Sequence, residues 1–198
     1  MIKKMIALFV IIVLGIVGWY WTEGYGFTGT DVTGETIEES IFQYTSSDQN
    51  QVSNQGDLIE KIQVKEDFYL VFTLNKSLDS INAFLIKKKW NGNWRVENMS
   101  GEASIELHPG AYSPYSWNGL SSEDFSGYWG VVYDSDVESI VLRKNMKEAH
   151  ANIIDSTRFP PIWYKLYPES DLNDIEIVKA VDIDGEEVPW DSVRNKSY

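Results

Sequence analysis

The chain is 198 residues long, holds no cysteine, and carries 17 basic against 30 acidic side chains, a formal charge of −13. That acidity excludes a nucleic-acid binder, because neutralising phosphates needs a basic surface. The missing cysteines exclude a disulfide scaffold, Cys-ligated zinc, an iron–sulfur cluster, a thiol nucleophile and a lipid-modified N-terminal cysteine.

Lys3 and Lys4 precede Met5 to Thr22, a run of 18 residues without a charge that ends in Trp19, Tyr20, Trp21 and Thr22 before Glu23. Two lysines, an apolar stretch and an aromatic belt match the polarity of a membrane span. At 1.5 Å per residue the run reaches about 27 Å, close to the hydrocarbon thickness of a bilayer. The competing reading is a cleaved signal peptide, but Ala-x-Ala is absent and Gly24-Tyr25-Gly26 fits a cleavage site only loosely. The expectation is therefore a single-pass anchor over residues 1–22, N-terminus cytoplasmic, with the remainder extracytoplasmic. Residues 23–34, rich in glycine and threonine, read as a flexible spacer.

Thr36 and Glu39 form a capping-box pair, and Ile37, Ile41 and Tyr44 recur at helical spacing, which predicts a helix ending near Thr45. Strand texture follows at Leu58–Val64, Phe68–Leu74, Asn82–Trp90 and Trp94–Glu97. Asn91-Gly92 between Trp90 and Trp94 predicts a type I′ hairpin turn. Residues 35–100 thus read as a helix plus an antiparallel meander.

Residues 101–127 form an aromatic-rich connection with one strand signal at Ala103–Leu107. A second β region, 128–198, shows short segments at Trp129–Tyr133, Ser139–Arg143, Ala149–Ile154, Ile162–Tyr167 and Ile175–Asp182, then an Asp184-Gly185 turn before Glu186–Trp190. Their spacing suggests a sandwich-like arrangement, as one domain with 35–100 or as a second small one. The fold class expected is α+β, mainly antiparallel β, behind one N-terminal transmembrane helix.

Glu35–Ile41, Phe68–Phe72, Lys87-Lys88-Lys89-Trp90-Asn91-Gly92-Asn93-Trp94, Tyr128–Tyr133, Val137–Val141, Trp163-Tyr164 and Val181–Gly185 together resemble uncharacterised membrane-anchored or lipoprotein-type secreted proteins of Gram-positive spore-forming bacteria. The resemblance implies an exported helix-plus-β protein and carries over no active site. This chain lacks the cysteine of the lipoprotein members, which agrees with an anchor.

His108 and His150 are the only neutral-pH bases, and no Gly-x-Ser-x-Gly or His-Glu-x-x-His motif accompanies them. Both read as surface or cross-strand histidines. Asp182-Ile183-Asp184-Gly185-Glu186-Glu187 invites calcium, but no acid falls at the final ligand position of the twelve-residue loop, and a hairpin explains the same residues. Asp134-Ser135-Asp136 and Asp171–Asp174 read as turns. No catalytic residue, cofactor or metal is expected.

The candidate ligand surface is aromatic: Tyr112, Tyr115, Trp117, Tyr128 and Trp129, rings among short polar residues that suit protein or sugar contact. Of the candidates, Tyr115 is expected to be the exposed anchor and Trp117 the more buried. The function expected is a membrane-tethered, non-enzymatic extracytoplasmic module that binds a protein or cell-envelope ligand. The alternatives are an envelope glycan or peptide hydrolase using acidic residues and a structural accessory subunit of a membrane complex.

Overall fold

The computed structural model describes residues 32–46, 55–75, 77–106, 113–168 and 175–189. The expected anchor, most of the spacer, Tyr112, His108, Trp190 and the Asp171–Asp174 turn lie outside these residues. Among the described residues, no helix is long and apolar enough to cross a membrane.

Helix α1 (Ile37–Ser46) starts where the capping pair placed it. The Glu39 N–H donates to Thr36 Oγ1 at 3.1 Å, and Glu39 Oε2 accepts the Glu35 N–H at 2.8 Å, so the carboxylate reaches one residue beyond the cap. A ten-residue helix is marginal alone. It is held by burying Ile37 and Ile41 on the sheet beneath.

That sheet contains β1 (Thr33–Gly34), β2 (Gln55–Lys65), β3 (Phe68–Asn75), β4 (Ser80–Lys88), β5 (Trp94–Met99) and β6 (Ala103–Ser104), in the order β1-β5-β4-β3-β2 with β6 paired to the start of β4. The expected antiparallel meander is present, β2 to β5 pairing in chain order. β3 and β4 sit in the middle and both of their faces are covered. Val71, Phe84 and Ile86 meet the helix, while Phe68, Leu70, Phe72, Leu74, Ile81, Ala83 and Leu85 point the other way.

The expected type I′ turn at Asn91-Gly92 is not what joins β4 to β5. Only Gly92 has positive φ, at 90°. Gly92 N–H donates to Lys89 O at 2.9 Å, and Lys89 N–H donates to Asn93 O at 2.7 Å. This is a three-residue loop, Trp90-Asn91-Gly92, closed by a glycine bulge. Asn91 Oδ1 instead caps the Asn93 N–H at 3.0 Å. A two-residue turn with positive φ at both positions occurs elsewhere, at Asn145 (50°) and Met146 (64°).

The second β region forms two further sheets. One holds β7 (Asn118–Ser121), β8 (Ser126–Val131), β11 (Asn152–Ile154) and β12 (Ile162–Tyr167), ordered β11-β12-β8-β7. The other holds β9 (Ser139–Lys144), β10 (Lys147–His150) and β13 (Ile175–Val181), ordered β10-β9-β13. The expected single strand Ala149–Ile154 is two strands. His150 pairs with Val141 in one sheet and Asn152 with Tyr164 in the other, and Ala151 is the step between them.

Alternation along β8 and β12 explains the layering. Trp129, Val131 and Ile162 join the β3–β4 face in one core, while Trp163 faces Ile140, Leu142 and Ala180 of the other sheet in a second core. The order of layers is helix, sheet, sheet, sheet, with antiparallel pairing throughout. The 101–127 connection belongs to this stack. It supplies β6 and β7, and Ser100 Oγ ties its flank to Gly119 O at 2.8 Å. Of the Ala103–Leu107 strand signal, Ala103–Ser104 is strand, Ile105 and Glu106 are not, and Leu107 lies outside the described residues.

Candidate functional site

A concave surface of about 690 Å³ lies at the loop end of the β4–β5 hairpin. Its lining includes Lys87, Lys88, Lys89, Trp90, Arg95 and Glu97 from the hairpin, Asp67 from the β2–β3 turn, and Ser122, Glu123 and Asp124 from the β7–β8 turn.

The β7–β8 turn is built locally. Ser122 N–H donates to Phe125 O at 2.7 Å, and Ser122 Oγ accepts from the Asp124 and Phe125 N–H groups at 3.3 and 3.2 Å. Phe125 fixes the turn to the sheet by packing on Phe68, ring centroids 4.8 Å apart. Asp124 is thereby aimed at the hairpin. Its Oδ2 lies 2.7 Å from Lys87 Nζ and its Oδ1 3.7 Å from Lys65 Nζ. The hydrogen bond from the Lys87 ammonium holds the Asp124 carboxyl below its ordinary range, and the same bond holds Lys87 above its own.

Across the floor, Arg95 Nε and Nη2 both reach Glu97 Oε1, at 2.9 and 2.7 Å. Lys88 Nζ lies 5.5 Å from the Trp94 ring centroid. Trp90, at the hairpin tip, is 52% exposed. The groove therefore offers both charge signs beside the exposed Trp90 ring.

Of the five aromatic residues expected to form a ligand surface, the four described ones do not all share a surface. Tyr112 lies outside the described residues. Tyr115 is buried edge-on against Trp163, centroids 5.9 Å apart, and its phenol pKa is pushed up to about 12, mainly by burial and further by the charge of Glu187. Trp129 is fully buried against Phe72 at 5.5 Å. Both are core, so the expected exposure of Tyr115 over Trp117 is reversed. Tyr115 bridges Val132 and turns inward there. Trp117 is 52% exposed and touches the half-buried Tyr128 edge-on at 5.6 Å. That pair is what remains of the surface.

Other constellations resolve into structure. Asp182 Oδ1 accepts from the Asp184 and Glu186 N–H groups at 3.0 and 2.8 Å, and Gly185 (φ 81°) repeats the loop seen at Gly92. Asp134 Oδ1 likewise caps the Asp136 N–H. His150 Nδ1 lies 2.9 Å from Ser139 Oγ on an exposed strand surface, and the nearby Glu148 is engaged by Arg143 at 2.8 Å. Among the described residues, no three His, Asp or Glu side chains converge as a metal site.

The groove residues were overlooked in the sequence, although a signal exists. Lys87 to Arg95 holds four cations, two tryptophans and no carboxylate within a chain of net charge −13. No protein-family model matches the chain, and no curated protein or solved structure matches it significantly.

Proposed function

We propose that the chain is a non-enzymatic, extracytoplasmic binding module, tethered to the cell membrane by residues 1–22, that holds a polar ligand of the cell envelope in the β4–β5 groove. The observation that carries this reading is the groove itself. Its volume falls within the range of ligand sites, and its polar groups are mounted on a rigid hairpin and a packed turn. Lys88, Lys89, Asp67 and Glu123 line it with charges of both signs, which suits a ligand bearing an anionic and a cationic group.

The hydrolase alternative needs a carboxylate raised to act as an acid. Among the described residues, the carboxylates that depart from ordinary values, Glu38, Asp124 and Glu148, are all lowered by hydrogen bonds from Lys61, Lys87 and Arg143. This favours binding over acid catalysis.

The test is cosedimentation of the full chain with purified envelope fragments, beside Lys89→Glu and Glu123→Lys variants. Retention by the wild type, reduced in both variants at unchanged melting temperature, is the expected result. Equal retention by all three removes the groove from the reading. Release of soluble glycan or peptide fragments by the protein removes its non-enzymatic part.

A further inference from the structure

We infer that the β4–β5 hairpin end of the molecule faces the bilayer and rests on anionic lipid headgroups through Lys88, Lys89 and Trp90. This rests on the tether part of the reading above and adds an orientation and a lipid contact to it.

Three independent observations converge on that end. The first is composition. The end of the hairpin, Lys88 to Asn93, carries two lysines and one tryptophan and no acid, in a chain that is otherwise strongly acidic. Lysine beside an amphipathic ring is the chemistry of an interfacial contact, the ammonium meeting phosphate and the indole sitting at headgroup depth.

The second is availability. Lys87 and Arg95 are engaged by Asp124 and Glu97, at 2.7 Å each. Lys88 lies over the Trp94 ring, and Lys89 has no carboxylate partner among the described residues. Trp90 turns about half of its surface to solvent. The carboxylates of Asp67 and Glu123 line the same groove, and the Lys88 N–H donates to Asp67 O at 2.7 Å.

The third is where the chain arrives. Strand β1 pairs Thr33 with Arg95 and Gly34 with Trp94, so the segment preceding Val32 joins the fold beside this same hairpin. Between Thr22, at the expected membrane boundary, and Val32 lie ten peptide steps, which span about 35 Å at full extension. A tether of that reach lets the hairpin end touch the surface. The acidic remainder is repelled from an anionic leaflet, and that repulsion turns the basic tip towards it.

The experiment uses the full chain in lipid vesicles. Because the sequence has no cysteine, single-cysteine variants label cleanly. Asn91→Cys reports on the hairpin tip, and Ser77→Cys, in the β3–β4 turn at the opposite end of β4, is the control. Each carries a fluorophore quenched by a headgroup-labelled lipid. In vesicles containing phosphatidylglycerol, quenching at Asn91→Cys is expected to exceed that at Ser77→Cys by about threefold, and to fall to the control level in pure phosphatidylcholine or at about 0.5 M salt. Adding Lys88→Glu and Lys89→Glu to Asn91→Cys should abolish the excess. Inorganic phosphate at matched ionic strength should not, which separates a lipid surface from a free-phosphate site. Equal quenching at the two positions, or an excess indifferent to lipid charge, overturns the proposal. So does loss of the excess to phosphate alone. Flotation with vesicles at high salt reads the tether separately. A chain that floats without differential quenching refutes the docking alone, and one that does not float refutes the tether and the docking with it.

Discussion

Trp163 donates its indole N–H to the backbone carbonyl of Ser116 at 2.9 Å, directly above Gly130, where a β-carbon would collide with that same carbonyl oxygen. Together with the Ser116 N–H donating to Val131 O at 2.8 Å and Ser116 Oγ accepting the Val131 N–H at 2.9 Å, this bond fixes the 115–117 segment against the end of β8, and the close carbonyl requires glycine at 130. Gly130→Ala is expected to destabilise by about 1–3 kcal/mol through overpacking. Trp129 provides a contrast, since its buried Nε1 has no hydrogen-bond partner among the described protein atoms. Trp163→Phe should therefore cost about 1–2 kcal/mol more than Trp129→Phe, because only the former breaks a bond. Equal losses in denaturant titrations would show that the Trp163 bond contributes nothing.

Tyr115 and Trp117 should behave oppositely. Tyr115→Ala empties a buried ring site and should cost about 3–5 kcal/mol, whereas Trp117→Ala forfeits an exposed ring contact worth about 1 kcal/mol. The stability that Tyr115 owes to its raised phenol pKa is complete below the ordinary value of 10 and is lost as pH rises through about 12. Phenolate absorbance in wild type and Tyr115→Phe checks this, since a residue ionising near 10 would place the ring in solvent.

Gly92 has φ of 90°, yet nothing lies within 4 Å of where its β-carbon would stand. Substitution there is penalised by backbone conformation alone. Gly92→Val should cost about 1–3 kcal/mol, and Gly92→Asn distinctly less, because asparagine tolerates positive φ. Identical melting temperatures for the two variants would mean that crowding, not conformation, sets the cost.

Lys87 and Asp124 are each about one-third exposed, so removing their bond by Lys87→Met should cost no more than about 1 kcal/mol at neutral pH. The lowered Asp124 pKa gives the sign. Its stabilisation is present above the ordinary aspartate value of 3.8 and is lost as pH falls through the lower folded value. Unfolding midpoints of wild type and Lys87→Met should converge in strong acid. A gap that persists there would assign the loss to packing of the lysine stem.

Regular local chemistry was legible in the sequence. Thr36 and Glu39 announced the helix, and runs of branched and aromatic residues between turn signals announced β3, β4, β8 and β12. The Asn91-Gly92 turn was located correctly but typed wrongly, since a dipeptide does not reveal that Trp90 completes a three-residue loop. Tyr115 and Trp117 were inverted because they precede β7 in irregular backbone, where no fixed period ties sequence to face. The groove arises from residues far apart in the chain, Lys87 and Asp124 above all, and only the stacking of two sheets brings them together. Its basic half was nevertheless present as the run Lys87-Lys88-Lys89-Trp90.

Strand β2 takes 11 residues where β3 takes eight, and its pairing shifts three times, after Gln55, after Leu58 and after Gln63. Each shift accommodates one extra residue, and each bends the strand and adds twist. β2 is the outermost strand of its sheet, with Asp57, Glu60, Lys61 and Lys65 exposed along it. An approaching strand would need a straight, evenly spaced row of donors and acceptors, and this one offers a coiled row interrupted by charge. An edge of this kind keeps neighbouring copies from knitting their sheets together into fibres.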